Sequence, residues 1–229
     1  MFTTSNYQEL NWPAANNDDI TLLQTLVADT PLLLNGRFSN QNTYKNIDFS
    51  YNNKLNASVI RKLNFTSVDD MSGTNFVIYG RQNDVDITEI IAGPNNDTET
   101  SVNYYDYIYK IEHTGVVAGN VSIGTDGDEG FFTLTSLDIK NYRKTFGWAV
   151  NFIIHPANNG NVKYNIFGSL NRKKGLYQDL IDKKYFYKLS DVEQTAPEFF
   201  DISLVTTLVL IKITQNTDNC PLTAQILQV

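Results

Sequence analysis

The chain has 229 residues, with Lys+Arg 18 against Asp+Glu 25 and a formal net charge of −7. That length can bury a substantial core in one or two domains, and an acidic chain without a basic stripe argues against a nucleic-acid partner. A single cysteine excludes an internal disulfide and a multi-cysteine zinc site, and no apolar run reaches membrane-spanning length, so no membrane partner is expected.

The first twenty or so residues are polar, contain Pro13 and show no apolar leader segment, so they read as an arm or loose lead-in. "DDITLLQTLVAD" (18–29) predicts a helix, with Asp18 or Asp19 as the cap, Ile20, Leu23 and Val27 on one face, and Pro31 as the stop. "LLLNG" predicts a short strand and a turn at Asn35-Gly36.

From about Leu55 the period becomes two. "ASVIRKLNF" alternates through Val59, Arg61, Leu63 and Phe65, and "NFVIYGRQ" through Phe76 and Ile78. "DVDITEIIAG" alternates through Val85, Ile87, Glu89 and Ile91. "SVNYYDYIYKIE" places Tyr105, Tyr107, Tyr109 and Ile111 on one face and Val102, Tyr104 and Ile108 on the other. Turn signals separate these runs, the spacing of antiparallel sheets folded into a sandwich.

After the loop "SIGTDGDEGFF" (122–132) a second series starts with "FFTLTSL". "GWAVNFII" presents Trp148, Val150, Phe152 and Ile154 on one face, and "VKYNIFGSL" alternates through Val162, Tyr164 and Ile166. "LYQDLIDKKYFY" reads as a short helix or a crossing loop, and "LVTTLVLIKITQN" with "PLTAQILQV" as a terminal hairpin. The expected fold is all-β: two antiparallel β-sandwich domains with a short N-terminal helix or extended arm. The expected division is an arm or helix over 1–30, a first sandwich over 31–125 and a second over 126–229.

The most chemical stretch is the acidic loop, where Asp126, Asp128 and Glu129 stand among Gly124, Gly127 and Gly130. Calcium needs six to eight oxygen ligands, and the twelfth position counted from Asp126 is Leu137 rather than an acid. Gly and Asp also tolerate the positive φ of a sharp turn, so a turn or hinge is the expected reading and Asp126, Asp128 and Glu129 remain weak metal candidates. No cofactor is expected.

Glu89, inside an apolar alternation, is the best single acid for a carboxylate-pair hydrolase, but no second acid accompanies it in sequence; an exposed or edge position, or a cross-strand base, is the expected setting. His113, His155 and Cys220 have no nucleophile or base pattern beside them, and no phosphate-binding glycine loop occurs, so an enzyme is not expected. The basic clusters "NRKKG" and "DKKYFYK" read as solvated loops. The sequons at Asn56, Asn64, Asn96 and Asn120 are read as unglycosylated.

The segment "RKLNFTSVDDMSGTNFVIYGRQNDVDITEIIAGPNNDTETSVNYYDYIYKIE" (61–112) resembles a family of tailed-bacteriophage virion structural proteins. The likeness rests on Thr66, Ser67, Asp70, Ser72, Gly73, Phe76, Gly80, Thr88, Glu89, Gly93, Pro94, Asn95 and Thr98, and extends to "LLQTLVADTPLLLNG", "NVSIGTDG" and the C-terminal strands. It implies a homo-oligomeric structural component of a virion assembled in the host cytoplasm, with copies of itself and major capsid, neck or tail proteins as partners. A capsid-associated decoration role is favoured over a tail or head–tail connector role. A carbohydrate-binding module on a host-recognition appendage is the alternative. The resemblance brings no catalytic residues.

Overall fold

A computed structural model describes residues 6–12, 14–38, 47–48, 57–115, 119–135, 149–156, 162–169, 173–189, 194–195, 198–203, 208–216 and 222–228. The first part carries β1 (Asn6–Trp12), β2 (Thr21–Thr25), β3 (Ile47–Asp48), β4 (Ala57–Ile60), β5 (Leu63–Thr66), β6 (Thr74–Gln82), β7 (Val85–Ala92), β8 (Thr98–Thr100), β9 (Tyr107–Gly115) and β10 (Asn120–Thr125). The second carries β11 (Gly130–Thr135), β12 (Ala149–Pro156), β13 (Val162–Ser169), α1 (Tyr177–Asp182), β14 (Tyr187–Lys188), β15 (Gln194–Thr195), β16 (Glu198–Ser203), β17 (Leu208–Asn216) and β18 (Leu222–Gln228). The protein is all-β, as its runs of β-branched and aromatic residues at period two dictate.

Two four-stranded antiparallel sheets, β2-β10-β5-β8 and β3-β9-β6-β7, share one core. Leu63, Phe65, Val121 and Ile123 from the first meet Phe76, Ile78, Ile91, Ile108 and Ile111 from the second. The Phe65 and Phe76 rings lie 4.9 Å apart, and both side chains are fully buried. Truncating either to alanine costs about 3–5 kcal/mol. Leu32 and Leu34 point into this core while Leu33 points out, so the segment after β2 seals the sandwich without joining a ladder; the strand expected from "LLLNG" is absent. Gly36 sits instead against the backbone of Asp18 and Asp19, where a side chain has no room.

A third sheet, β14-β13-β17-β11-β4 with β15 beside β13, is buried on both faces. One face packs Ile60, Phe131, Phe167 and Leu210 against Tyr177 and Leu180 of α1 and Phe186 beyond it. The other buries Val59, Phe132, Tyr164, Ile166, Ile211 and Ile213. Double burial explains why "LVLIKI" is nearly continuous in apolar residues. The fourth sheet runs β1-β18-β12-β16. Val150, Phe152 and Ile154 occupy alternate positions of β12, and Trp148 lies outside the described residues.

The structure overturns further local expectations. Residues 18–29 do not form a helix: they contain β2, which pairs with β10. Leu23 and Val27, expected on the inner face, are 66% and 60% exposed, while Ile20, Thr21 and Leu26 go inside. The Asp19 carboxylate accepts from Asn16 N and Thr125 Oγ1 and sits beside Arg37, so it binds the fold rather than capping a helix. The run 57–65 is two strands, because the chain changes sheets at Arg61-Lys62: β4 pairs with β11 and β5 with β10 and β8.

The tyrosine strand does not alternate as expected. Tyr79 pairs with Lys110 but the next residue, Gly80, pairs with Ile108, which leaves Tyr109 as an extra residue on β9. This bulge lets Ile108 and Ile111 both enter the core, with Tyr109 and Lys110 both outside. Tyr105 lies before the strand, in an isolated bridge to Arg61. The terminal strands are not a hairpin: β17 lies between β13 and β11, whereas β18 lies between β1 and β12. Pairing thus crosses residue 125 twice, through β4–β11 and through β1–β18.

Candidate interaction surfaces

Of the residues that carry the resemblance, Ser67, Asp70, Ser72, Gly93 and Pro94 tie turns together at one end of the sandwich, while Gly80, Thr88 and Glu89 lie further along β6 and β7. Ser67 N donates to Asp97 O at 3.2 Å and Ser67 Oγ to Asn120 O at 2.7 Å. Met71 N donates to Pro94 O and Gly93 N to Thr74 O, each at 2.8 Å. Asp70 Oδ1 accepts from Ser72 Oγ at 2.7 Å and Ser72 N at 3.0 Å, and these two bonds hold its carboxyl below the usual carboxylate range. Thr66 and Thr98 join through their hydroxyls across β5 and β8 at 3.0 Å. Gly80 is required because a Cβ there would come within 2.5 Å of the Tyr105 ring. The motif is a clasp for the fold.

Glu89 lies on β7, which ends its sheet, so the edge position expected for it is correct. Its partners are loop groups rather than a base. The carboxylate accepts from Val102 N at 2.6 Å, Asn103 N at 3.1 Å, Asn103 Nδ2 at 3.0 Å and Tyr105 Oη at 2.7 Å. Burial and this acceptor push the Tyr105 phenol far above its ordinary value. Glu89 thus anchors the β8–β9 connection under the edge of the sheet, a positional role that sequence periodicity does not reveal.

The acidic loop behaves as a turn. Asp126 Oδ1 accepts from Asp128 N at 3.0 Å, and Asp126 N donates to Lys62 O at 3.0 Å. Glu129 is paired with Lys62 Nζ, which itself sits 5.0 Å over the Tyr104 ring. Partial burial would raise the Glu129 carboxyl, but the bonds from Lys62 and Tyr104 and the charges of Lys62 and Lys212 hold it below its ordinary value. Asp128 moves up, through desolvation and the neighbouring acids. Among the described residues no group of three or more His, Cys, Asp or Glu is placed to hold a metal ion.

Beside this loop lies a buried polar knot invisible in the sequence. Arg61 is fully buried, and its Nη1 donates to Thr125 Oγ1 at 3.2 Å, which donates to Asp19 Oδ2 at 2.6 Å. Desolvation lowers the Arg61 guanidinium to about 9 despite the Asp19 charge. Arg37 Nη2 lies 2.7 Å from the other Asp19 oxygen, an electrostatic contact off the line of a good hydrogen bond. Desolvation also raises the Asp19 carboxyl, against its hydrogen bonds and both arginines.

The outer face of β6 and β9 is a lattice of rings and cations. Tyr107 and Tyr109 lie 4.9 Å apart, Arg81 stacks 4.9 Å from the Tyr107 centroid, and Lys110 stacks 4.5 Å from Tyr79. Tyr109 Oη donates to Asp86 Oδ1 at 2.8 Å. Of the tyrosines 104, 105, 107 and 109, the bulge therefore places only 107 and 109 on this face, joined by Tyr79.

His113 lies within β9, and its Nε2 donates to Val27 O at 3.0 Å. His155 is the penultimate residue of β12, and Cys220 lies outside the described residues. A different feature stands out along β2. Gln24 bonds both N and O of Leu33, and Leu22 N donates to the Asn35 side chain, so β2 and 33–35 lie side by side. Leu22, Leu23, Val27 and Leu33 all project from these segments into solvent. Among the described residues no helix is long and apolar enough to cross a membrane.

These features define an all-β protein of antiparallel sheets with exposed aliphatic side chains along β2 and 33–35 and a face of rings and cations on β6 and β9. No protein-family model matches the chain, and a search of curated proteins finds no match.

Proposed function

We propose that the protein is a structural component of a bacteriophage particle, a capsid-associated decoration or accessory protein acting through protein–protein contacts; a tail or head–tail connector position is the variant of this reading. The observation that carries it is the strip of Leu22, Leu23, Val27 and Leu33, aliphatic side chains held outward on a braced edge. Apolar side chains clustered on adjoining segments mark contact surfaces. The resemblance of residues 61–112 supplies the class of particle. Individually weak contacts gain strength by repetition on a symmetric assembly.

The test is to locate the chain in intact particles by electron microscopy. Density for the sandwich repeating with the particle symmetry, with the β2 strip against a neighbour, is the expected result. Purified particles without this chain would overturn the reading. The outward Tyr79, Tyr107 and Tyr109 favour a second reading, a carbohydrate platform, whose required observation is glycan binding lost on Tyr109→Ala.

A further inference from the structure

We infer that β7 is a self-pairing edge, through which two copies of this chain join their β3-β9-β6-β7 sheets into one continuous sheet. The inference deepens the assembly reading and rests on it only for the context in which the pairing is used.

β7 is a regular eight-residue strand with β6 on one side and, among the described residues, no strand on the other. Gly93 N donates to Thr74 O in register with the β6–β7 ladder, so residues of the same parity, including Glu89 and Ile91, bond inward. Thr88, Ile90 and Ala92 therefore direct their N–H and C=O groups away from the sheet. Their side chains are exposed, and Ile90 is 69% exposed. Val102, 79% exposed, is held under the same edge by Glu89.

Edge strands are normally blunted by brevity, bulges, proline, lysine or an inward charge. β7 has no bulge against β6, and "VDITEIIA" has no proline or lysine. It has one inward charge, Glu89, and that charge selects the partner and the register. A copy placed with Glu89 opposite Glu89 would set like charges against each other, which is destabilising. An antiparallel two-fold centred on Ile90 avoids this. It sets Ile90 against Ile90, Thr88 against Ala92, and Glu89 against Ile91. That register forms about six backbone hydrogen bonds and covers the exposed isoleucine with its own copy.

The occupant is a second copy because the two-fold centred on Ile90 brings the same outward backbone groups and the same exposed isoleucine to both sides while keeping the two Glu89 carboxylates out of register. The opposite sheet ends in β8, three residues long, and in β2, whose outer margin is occupied by Gln24 and Asn35 contacts. Among the end strands of this sandwich β7 is the longest, with β3 at two residues, β8 at three and β2 at five, so the two-fold pairs it with itself. A strand pair is smaller than a standard interface, so the contact is weak in dilute solution and gains from repetition.

The test uses the whole chain with Cys220→Ser. Residues opposite each other in a hydrogen-bonded pair have Cα atoms about 5.5 Å apart, within disulfide reach. Ile90→Cys is expected to oxidise to a covalent dimer, whereas Val68→Cys, equally accessible but at the clasp, is not. Sedimentation of the native chain is expected to show a monomer–dimer equilibrium that Ile90→Lys weakens at least tenfold, with unchanged circular dichroism. Equal cross-linking at both positions, a strict monomer at about 1 mM, or a dimer indifferent to Ile90→Lys would overturn the inference. If Ile90→Lys fails to fold, the cross-linking pair decides. A chain found in particles that does not pair through β7 sinks only this inference; one that pairs through β7 but is absent from particles sinks only the assembly reading.

Discussion

Asp19 and Glu129 are carboxylates whose linkage to pH runs in opposite directions. Burial raises the Asp19 carboxyl above its ordinary 3.8, so in the window above 3.8 the folded state holds more protons than the unfolded one. The Asp19 contribution to stability therefore grows as pH falls from the folded value towards 3.8, and shrinks as pH rises. Glu129 is held below its ordinary 4.5, so its contribution is complete above 4.5 and is lost as pH falls through the folded value. Urea midpoints measured over about pH 3 to 6 should therefore separate the two. Asp19→Asn should make the acid-side loss of stability steeper, whatever it does to the absolute midpoint, because it removes the opposing contribution. Glu129→Gln should make it shallower, because the pair with Lys62 no longer titrates. Identical slopes in the two variants would contradict this assignment. Neither role is readable in "NNDDI" or "TDGDEG": both depend on Lys62, Thr125 and Arg37 arriving from other elements, which local pattern does not encode.

The β6–β7 hairpin shows how one element fastens another. Asn83 and Asp84 have φ of 48° and 61°, the conformation of a two-residue turn that matches strand twist. From that tip Asn83 Nδ2 donates to Lys173 O at 2.8 Å and Gly175 O at 3.0 Å, while Tyr177 N donates to the neighbouring Gln82 side chain at 2.9 Å. Asn83→Gly keeps the backbone conformation and removes the amide, so it should accelerate hydrogen exchange over 173–189 while β6 and β9 stay protected. Asn83→Ala should add a hairpin defect, for a total of about 1–3 kcal/mol. Unchanged protection of 173–189 in Asn83→Gly would remove the fastening role. The turn itself was legible as "RQND" between two alternating runs. Its target was not, because side-chain amides at hairpin tips carry no address. The same division of what is legible holds on β9: its apolar and aromatic content announced a strand, but the bulge at Tyr109 is set by pairing with β6 and reverses the faces inferred from strict alternation.

Across the whole molecule, the all-β class follows from period and composition, while the sheet memberships do not. A run such as 57–65 reads as one strand until the two sheets that share it are in place, and two adjacent terminal runs read as a hairpin until β1 and β12 claim β18. Nor does periodicity place β1, since nothing in "NYQELNW" names a partner more than two hundred residues away. That long-range ladder gives a direct test of how stability is distributed. Seven residues of β1 pair with β18 in unbroken register, Asn6 with Gln228 through Trp12 with Leu222. Removing residues 1–12 turns β18 into an edge of the remaining β18-β12-β16 sheet. Backbone hydrogen bonds contribute about 0.5–1.5 kcal/mol each, so losing this ladder is a large local penalty. The sandwich core around Phe65 and Phe76 draws its packing from other sheets. The truncated chain should therefore lose exchange protection in β12, β16 and β18 while β5, β6, β9 and β10 keep theirs. If all strands lose protection together, the sheets unfold as one cooperative unit. If none does, the first ladder contributes little to stability.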